Sequence, residues 1–319
     1  MATLTARKAA IVGVGGVGMG CAYSILNQGL LDEMVLIDVA GDKADGEARD
    51  LMDGVSYAPE NCKVYHGDYS DCKDAQMVII TAGINQKPGQ SRLELVGTNA
   101  KIMRSIVKEV MASGFDGNLV IVSNPVDVLT YVAWEESGLP QNRVIGTGTS
   151  LDSTRLRMQL ANKTGVDPHA ISAYIVGEHG DSEQPLWSQA SIGGKPLMDW
   201  IEDGDEGVIK KEDLEEIRKT VRDAAYYIID RKQITNWGIG LSTARVVRAI
   251  LNDERAILPV SAYFNGEYGL NDIFTGIPTI VGENGVERIV EMHITDEEKA
   301  GLHKSASELK EVLDSVRGK

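Results

Sequence analysis

The sequence predicts an α/β protein in which a doubly wound parallel sheet is followed by an α+β portion. In the first half, short apolar runs alternate with longer amphipathic segments. Apolar runs of this length, without polar alternation, are typical of strands buried on both faces and therefore of a parallel sheet. In the second half, short strand candidates are separated by turn residues, which favours antiparallel pairing.

The first half contains four strand candidates, each bounded by Gly, Asp or Asn; they span residues 9–14, 34–38, 77–81 and 119–123. Between them, residues 98–111 show the spacing of an amphipathic helix. Its apolar face consists of Ile102, Ile106, Val107 and Val110. Alternating strands and helices predict right-handed crossovers within one sheet.

The second half carries strand candidates at 260–264 and 279–281. Thr295 and Glu298 form a capping box ahead of a terminal helix. The apolar face of that helix is Leu302, Ala306, Leu309 and Leu313. From the change of pattern we place two domains at residues 1–145 and 146–319.

Composition limits the classes of function. Among 319 residues, 47 acidic side chains against 32 Lys and Arg give a formal net charge of −15. This sign disfavours nucleic acid and anionic lipid as partners. No apolar run approaches the roughly 20 residues that span a bilayer, and no signal peptide is recognisable. Three cysteines without a CxxC and five histidines without metal-ligand spacing predict neither disulfides nor a metal site. We expect a cytoplasmic enzyme.

A glycine-rich turn follows the first strand candidate. Gly13, Gly15 and Gly18 form a GxGxxG that opens a helical segment at 19–26. Such glycines allow a tight turn, close approach to a pyrophosphate and packing of helix on strand, and the helix start favours an anion. The alternative is a turn that serves backbone geometry alone.

Asp38 lies twenty residues beyond Gly18, at the end of the next strand candidate. A carboxylate there can accept hydrogen bonds from a ribose 2′-hydroxyl and repels a 2′-phosphate, which favours NAD over NADP. The alternative for Asp38 is an ordinary turn or cap residue. Because a strand, the glycines, a helix, a second strand and the acid follow one another with the expected order and spacing, we predict a Rossmann domain that binds NAD.

His179 follows an apolar run and lies between Gly177 and Gly180. With little local cover, its ring is expected to project from a strand end into a cleft, although a lone histidine is more often structural. Other candidates also have ordinary interpretations as a loop charge, a turn before proline, an N-cap and an exposed helical residue. These are Arg92, Asn124, Asp152 and Arg155, respectively.

Taken together, six separated segments resemble the L-lactate dehydrogenase family within the lactate/malate dehydrogenase superfamily. The resemblance covers nearly the whole chain. The segments are 13–18, 79–83, 86–92, 123–127, 151–155 and 177–182.

This resemblance implies a role for each candidate in the reduction of pyruvate. His179 matches the proton donor and acceptor, and Asp152 matches the carboxylate that orients it. Arg155 matches the residue that grips the substrate carboxylate through its guanidinium fork. Arg92 matches the loop arginine that polarises the reacting carbonyl, and Asn124 the amide that hydrogen-bonds the substrate.

The resemblance also implies cofactor contacts, a homotetramer, and a place in glycolysis and fermentation. Besides Gly13, Gly15, Gly18 and Asp38, the implied contacts are Val17, Lys43, Tyr69, Gly83, Ser105, Val122, Asn124 and Thr147.

The resemblance implies that Gln86 sets substrate preference, and Thr235 matches the family's second pocket-lining position. In the superfamily, malate enzymes carry an arginine at the position of Gln86, which pairs with the second carboxylate of oxaloacetate. Without it, oxaloacetate would bury an uncompensated charge, so we expect pyruvate to be preferred. Gln233 departs from the family's usual glycine and makes the pocket wall bulkier. The alternatives are a malate or broader 2-hydroxyacid dehydrogenase, and a non-catalytic dinucleotide-binding sensor.

Many bacterial relatives are activated by fructose 1,6-bisphosphate through an arginine and a histidine. Arg157 matches the arginine, but Ser172 stands where the histidine is usual. Because one cation is lost, we expect weak activation or none.

Overall fold

The computed structural model describes residues 6–84, 92–203 and 208–317, apart from the side chains of residues 92 and 93.

A parallel sheet forms the first half. Its strands are β1 (Lys8–Val12), β2 (Glu33–Ile37), β3 (Lys63–His66), β4 (Met77–Ile80), β5 (Asn118–Ile121) and β6 (Val144–Gly146). They are hydrogen-bonded in the order β3-β2-β1-β4-β5-β6. This is the strand order of the doubly wound dinucleotide-binding fold, so the predicted fold class is confirmed. All four strand candidates lie in this sheet.

Helices cover both faces of the sheet. They are α1 (Gly16–Leu26), α2 (Gly41–Gly54), α3 (Arg92–Ala112) and α4 (Val126–Ser137). Side chains on the two faces of the strands belong to two separate apolar clusters. Helix α3 begins six residues before the predicted start at 98, because Gly97, a poor helix former, interrupts the sequence pattern.

Antiparallel strands extend the same sheet. They are β12 (Ala256–Asn265), β13 (Asn271–Gly282) and β14 (Gly285–Ile289). Ser261 of β12 pairs with Gly146 of β6, so nine strands of the described chain form one sheet. The predicted antiparallel portion is therefore present, with strands longer than predicted. Residue 145, where we placed the domain boundary, lies within β6.

The remaining strands are short: β7 (Ile171–Ser172), β8 (Ile175–Val176), β9 (Gln184–Pro185), β10 (Ser191–Ile192) and β11 (Lys195–Pro196). The remaining helices are α5 (Ser150–Thr164), α6 (Leu197–Glu202), α7 (Lys211–Lys232), α8 (Trp237–Leu251) and α9 (Asp296–Asp314). A third apolar cluster lies between α5, α7 and the small sheet β7-β10-β11. Thr295 and Glu298 form the predicted capping box of α9.

Two chain reversals position the polar residues of the next subsection. Helix α5 begins four residues after β6, at the carboxyl edge of the parallel sheet. Strand β8 ends at Val176, and the chain turns at Gly177, whose φ is +89°. The N–H and C=O of Gly177 both pair with Gly276 of β13 at 2.9 Å, which fixes the loop that follows β8 to the large sheet.

Candidate active site

The turn between β1 and α1 has the geometry that a dinucleotide requires. Gly13 has a φ of +103°, a conformation that side-chain-bearing residues rarely adopt. A Cβ at Gly18 would overlap the carbonyl oxygen of Gly13, so glycine permits helix α1 to pack this closely. A Cβ at Gly15 would meet no atom within 4 Å, which leaves this backbone open to a ligand. The turn therefore fits a pyrophosphate.

Asp38 directly follows β2 and faces this turn. Its Oδ2 accepts a hydrogen bond from the N–H of Val14 at 2.8 Å, and its Oδ1 accepts one from the N–H of Ala40 at 2.9 Å. The carboxylate is thus held beside the glycine turn while the residue stays partly exposed. Asp38 therefore stabilises the local turn, as an ordinary turn residue does, and also lies beside the glycine turn, where a ribose-binding acid is expected.

Several other predicted cofactor contacts lie along the same edge of the sheet. Gly83 follows β4, Val122 follows β5 and Thr147 follows β6. In doubly wound sheets, ligands bind outside the carboxyl ends of the strands, where these residues lie. The other predicted contacts are more dispersed: Val17 is half-buried in α1, Tyr69 is half-buried after β3, and Lys43 and Ser105 are exposed on α2 and α3.

His179 and Asp152 are hydrogen-bonded. The Nδ1–H of His179 donates to Oδ2 of Asp152 at 2.6 Å. Asp152 is only 1% exposed, in the first turn of α5, and Thr149 rather than Asp152 is the N-cap of that helix. The fold thus brings together two residues that are 27 positions apart.

The pair favours a charged imidazole. Attraction by Asp152 is the main cause that raises the pKa of His179 to about 9, against the opposing effect of burial. Burial alone would raise the pKa of Asp152, but the charges and hydrogen bonds of His179 and Arg155 hold it below its ordinary value. At neutral pH the pair therefore consists of an imidazolium and a carboxylate.

Arg155 lies one helical turn after Asp152 and binds its other oxygen. Its Nη1 donates to Oδ1 of Asp152 at 2.8 Å, and its side chain is 14% exposed. Arg155 is therefore not an exposed helical residue. One of its N–H groups is committed to Asp152, which holds the guanidinium beside the imidazole.

Asp127 holds the backbone of His179 in place, a role that the sequence did not suggest. Its Oδ2 accepts a hydrogen bond from the backbone N–H of His179 at 2.8 Å, and the residue is 1% exposed at the start of α4. Burial raises the pKa of Asp127 to about 6, while the hydroxyl of Ser261 and the N–H of His179 oppose the shift. The only sequence signal was the position of Asp127 inside the segment 123–127.

A cavity of about 410 Å³ is lined by four of the predicted site residues. His179, Asp152, Arg155 and Asn124 all line it. Asn124 uses its side-chain oxygen to accept from the N–H of Val126 at 3.2 Å, as a turn residue before proline does. Glu183 also lines this cavity and was not among the predicted site residues.

The structure does not place the other three predicted substrate contacts at the lining of this cavity. Gln86 lies outside the described residues. Arg92 is the first residue of α3, and its side chain lies outside the described part of the chain. Thr235, between α7 and α8, lines a larger adjoining cavity of about 1220 Å³, which Arg155 also lines.

Arg157, the candidate phosphate-binding residue, lies on α5 and is not among the residues that line the cavity of His179 and Asp152. Its Nε donates to the carbonyl oxygen of Ala173 at 3.2 Å, and its guanidinium lies 5.5 Å from the ring centre of Tyr174. Burial lowers the pKa of Arg157. Ser172 is exposed on the adjacent strand β7.

Within residues 6–84, 92–203 and 208–317, no helix is long and apolar enough to cross a membrane. In the same described ranges, no three His, Cys, Asp or Glu side chains come together as a metal site.

Comparison with known proteins agrees with this geometry. Residues 7–146 match a family described as lactate/malate dehydrogenase, NAD binding domain, and residues 149–318 match its alpha/beta C-terminal domain. L-lactate dehydrogenase 2 of Lactococcus lactis subsp. lactis (strain IL1403) is 59% identical over 98% of this chain and 99% of that protein. L-lactate dehydrogenase 2 of Enterococcus faecalis is 55% identical, with 98% of each covered.

A crystal structure of the minor L-lactate dehydrogenase of Enterococcus mundtii in the ligands-bound form superposes with a TM-score of 0.97. It is 57% identical and covers 99% of this chain and 100% of its own. The ligands-unbound form gives a TM-score of 0.91, at 56% identity and 99% coverage of both chains. The protein belongs to the lactate/malate dehydrogenase family, and its first half is the NAD-binding domain of that family.

Proposed function

We propose that this chain is an NAD-dependent L-lactate dehydrogenase that interconverts pyruvate and L-lactate. The observation that carries the proposal is the 2.6 Å contact between His179 and Asp152 in a cavity that Arg155 shares. A proton donor, its orienting carboxylate and a cation for the substrate's carboxylate are what reduction of a 2-oxo acid needs. The names of the relatives agree with this activity.

His179 holds the proton of the reaction. With a pKa of about 9, its imidazole is protonated at neutral pH and can give a proton to the C2 oxygen of pyruvate. In the direction of lactate oxidation, the neutral imidazole takes the proton back. When bound, NADH supplies the hydride that C2 of pyruvate accepts.

Asp152 keeps the imidazole in the productive tautomer. Because Nδ1 of His179 donates to Asp152, Nε2 is the nitrogen that exchanges the proton. The carboxylate also stabilises the imidazolium, as in other Asp–His pairs.

The substrate is held by three further residues. Arg155 binds the carboxylate of pyruvate with the N–H groups that Asp152 does not use. Asn124, at the same cavity, hydrogen-bonds the substrate close to the reacting oxygen. Arg92, which begins α3, polarises the carbonyl as charge develops on oxygen.

The cofactor contacts remain a proposal, residue by residue. The turn of Gly13, Gly15 and Gly18 holds the pyrophosphate, and Asp38 the adenosine ribose. The edge residues Gly83, Val122 and Thr147 lie where the rest of the dinucleotide would extend. The remaining contacts that we propose are Val17, Lys43, Tyr69, Ser105 and Asn124.

Pyruvate is proposed over oxaloacetate because Gln86 brings no cation for a second carboxylate. The experiment is oxidation of NADH by the purified protein with pyruvate, oxaloacetate and branched 2-oxo acids, using wild type and Gln86→Arg. We expect wild type to turn over pyruvate fastest and Gln86→Arg to move preference toward oxaloacetate. A wild type that prefers oxaloacetate would overturn the substrate assignment, and tight NADH binding without turnover would favour a sensor.

Assembly, location and regulation are further parts of the proposal. We propose a homotetramer, to be checked by the mass in solution from light scattering. The three cysteines are buried and unpaired, which suits the reducing cytoplasm, where fermentation regenerates NAD. With Ser172 beside Arg157 in place of a second cation, fructose 1,6-bisphosphate should lower the half-saturating pyruvate concentration little or not at all.

A further inference from the structure

Glu183 is a buried carboxyl group in the catalytic cavity that the proposed mechanism does not use. Its residue is 5% exposed, directly before β9, and it lines the same cavity as His179 and Arg155. Among the described residues, its Oε1 has no hydrogen-bond partner. A buried, unsatisfied carboxyl oxygen is costly, so its presence calls for a physical reason.

The groups that act on the charge of Glu183 or line its cavity come from three elements. Helix α5 contributes Asp152 and Arg155, the loop after β8 contributes His179 and Asp181, and α7 contributes Arg218, Arg222 and Tyr226. Each of the three arginines already pairs with another carboxylate: Arg155 with Asp152, Arg218 with Glu215 and Arg222 with Asp223. Tyr226 donates its hydroxyl to Asp181 at 3.1 Å. Glu183 therefore has no counterion of its own among these side chains.

Two buried carboxyl groups that line one cavity do not both ionise easily. Asp152 is the ionised one, because it is bound by His179 and Arg155. Burial first, and then the charge of Asp152, raise the pKa of Glu183 to about 8, while His179 and the arginines oppose the shift. At neutral pH Glu183 is therefore mostly a neutral acid.

We propose that Glu183, kept neutral by its proton, makes the cavity receptive to an anionic substrate, and that substrate binding at alkaline pH causes an ionised Glu183 to take up a proton from water. This inference rests on the proposed function. With Glu183 neutral, the positive charges of His179 and Arg155 exceed the charge of Asp152 by one, before Arg92 is counted, and this excess attracts the carboxylate of pyruvate. An ionised Glu183 would offset one of these positive charges and weaken the binding of the anionic substrate.

Infrared spectroscopy of the whole protein with bound NADH tests the proposal. The reporter is the carbonyl stretch of a protonated carboxylic acid, obtained as the difference between wild type and Glu183→Gln. Oxamate, which has an amino group in place of the methyl group of pyruvate and is therefore an amide, is the unreactive ligand. Glu298→Gln is the control, because Glu298 is equally buried but bonds to Ser188 and Thr295.

We expect the wild-type band at neutral pH, its loss as the pH rises through about 8, and its return when oxamate binds at about pH 9. The band should be missing in Glu183→Gln and unchanged in Glu298→Gln. A band that is absent at neutral pH, or that does not return with oxamate, overturns the inference. If Glu183→Gln does not fold, ¹³C labelling of glutamate in wild type assigns the band, since Asp127 would not shift. If oxamate does not bind at all, the proposed function itself fails.

Discussion

Oδ2 of Asp152 lies 2.6 Å from Nδ1 of His179, and this contact sets the charge of the imidazole. Its main effect is to raise the pKa of His179 to about 9, so the proton donor is charged throughout the neutral range. The charged form is fully populated well below pH 9 and is lost as the pH rises through about 9. Pyruvate reduction should therefore be limited on the alkaline side by two groups, through deprotonation of His179 and ionisation of Glu183.

Replacing Asp152 with asparagine should lower the pKa of His179 and with it the alkaline limit of kcat/KM for pyruvate. The carboxylate that favours the imidazolium is lost, and the amide can hold the wrong tautomer. Turnover at neutral pH should fall by about 100-fold or more, the usual contribution of a placed acid. The measurement is the pH profile of pyruvate reduction from about pH 5 to about pH 10.

Asp167→Asn is a matched control for this change. Asp167 accepts a hydrogen bond from Nδ1 of His169 at 2.7 Å, but both side chains are exposed on the surface. Its removal should leave the profile of pyruvate reduction unchanged. An alkaline limit that stays in place in Asp152→Asn would contradict the role of Asp152.

Replacing Arg155 with lysine should weaken pyruvate binding far more than NADH binding. One N–H of Arg155 is fixed on Asp152, and the planar fork leaves other donors for a carboxylate; a lysine ammonium cannot make both contacts in this geometry. The KM for pyruvate should rise by about 30- to 100-fold, equivalent to about 2–3 kcal/mol. Arg255→Lys is the control, because Arg255 binds Glu287 through two N–H groups on the surface. Equal losses for both ligands would argue against this role.

Four of the six parallel strands were predictable because each contains a short, nearly continuous apolar run, such as Met77–Ile80, that no helix period explains. Strands β3 and β6 were not predicted; β3, Lys63–His66, lacks such a run. The pairing of β12 with β6 was not predictable either, because Ser261 and Gly146 are far apart in sequence and local patterns carry no information about such contacts. Because of this pairing, residue 145 lies within one continuous sheet, and the proposed domain boundary there stays a prediction.

The resemblance to the family identified the residues of the site, but only the fold shows that they lie close together. His179 and Asp152 were each ambiguous alone, since a lone histidine and a helix-start aspartate have ordinary interpretations. Asp127 and Glu183 were missed because an acid is unusual only once it is known to be buried. The described residues place neither Gln86 nor the side chain of Arg92, so their roles stay predictions.

Alanine substitutions at two glycines of the turn between β1 and α1 should have different effects. A methyl group at Gly18 overlaps the carbonyl of Gly13, so Gly18→Ala should lower the melting temperature and weaken NADH binding together. A methyl group at Gly15 meets no protein atom within 4 Å, so Gly15→Ala should fold normally and still bind NADH about 10-fold or more weakly. Thermal unfolding and NADH fluorescence titration distinguish the two. Normal NADH affinity in Gly15→Ala would mean that the cofactor does not approach this backbone.

Replacing Asp38 with asparagine should relax the choice between NADH and NADPH. The carboxylate lies beside the glycine turn, held by the N–H groups of Val14 and Ala40, and an ionised oxygen there repels a 2′-phosphate. Removing about 1–3 kcal/mol of repulsion should narrow the ratio of the two kcat/KM values by about 10- to 100-fold. Asp42→Asn, an exposed acid in the first turn of α2, controls for a general change of surface charge and should leave that ratio in place. If both variants change the ratio equally, the discrimination comes from the overall negative field of the protein and Asp38 has no specific part in it.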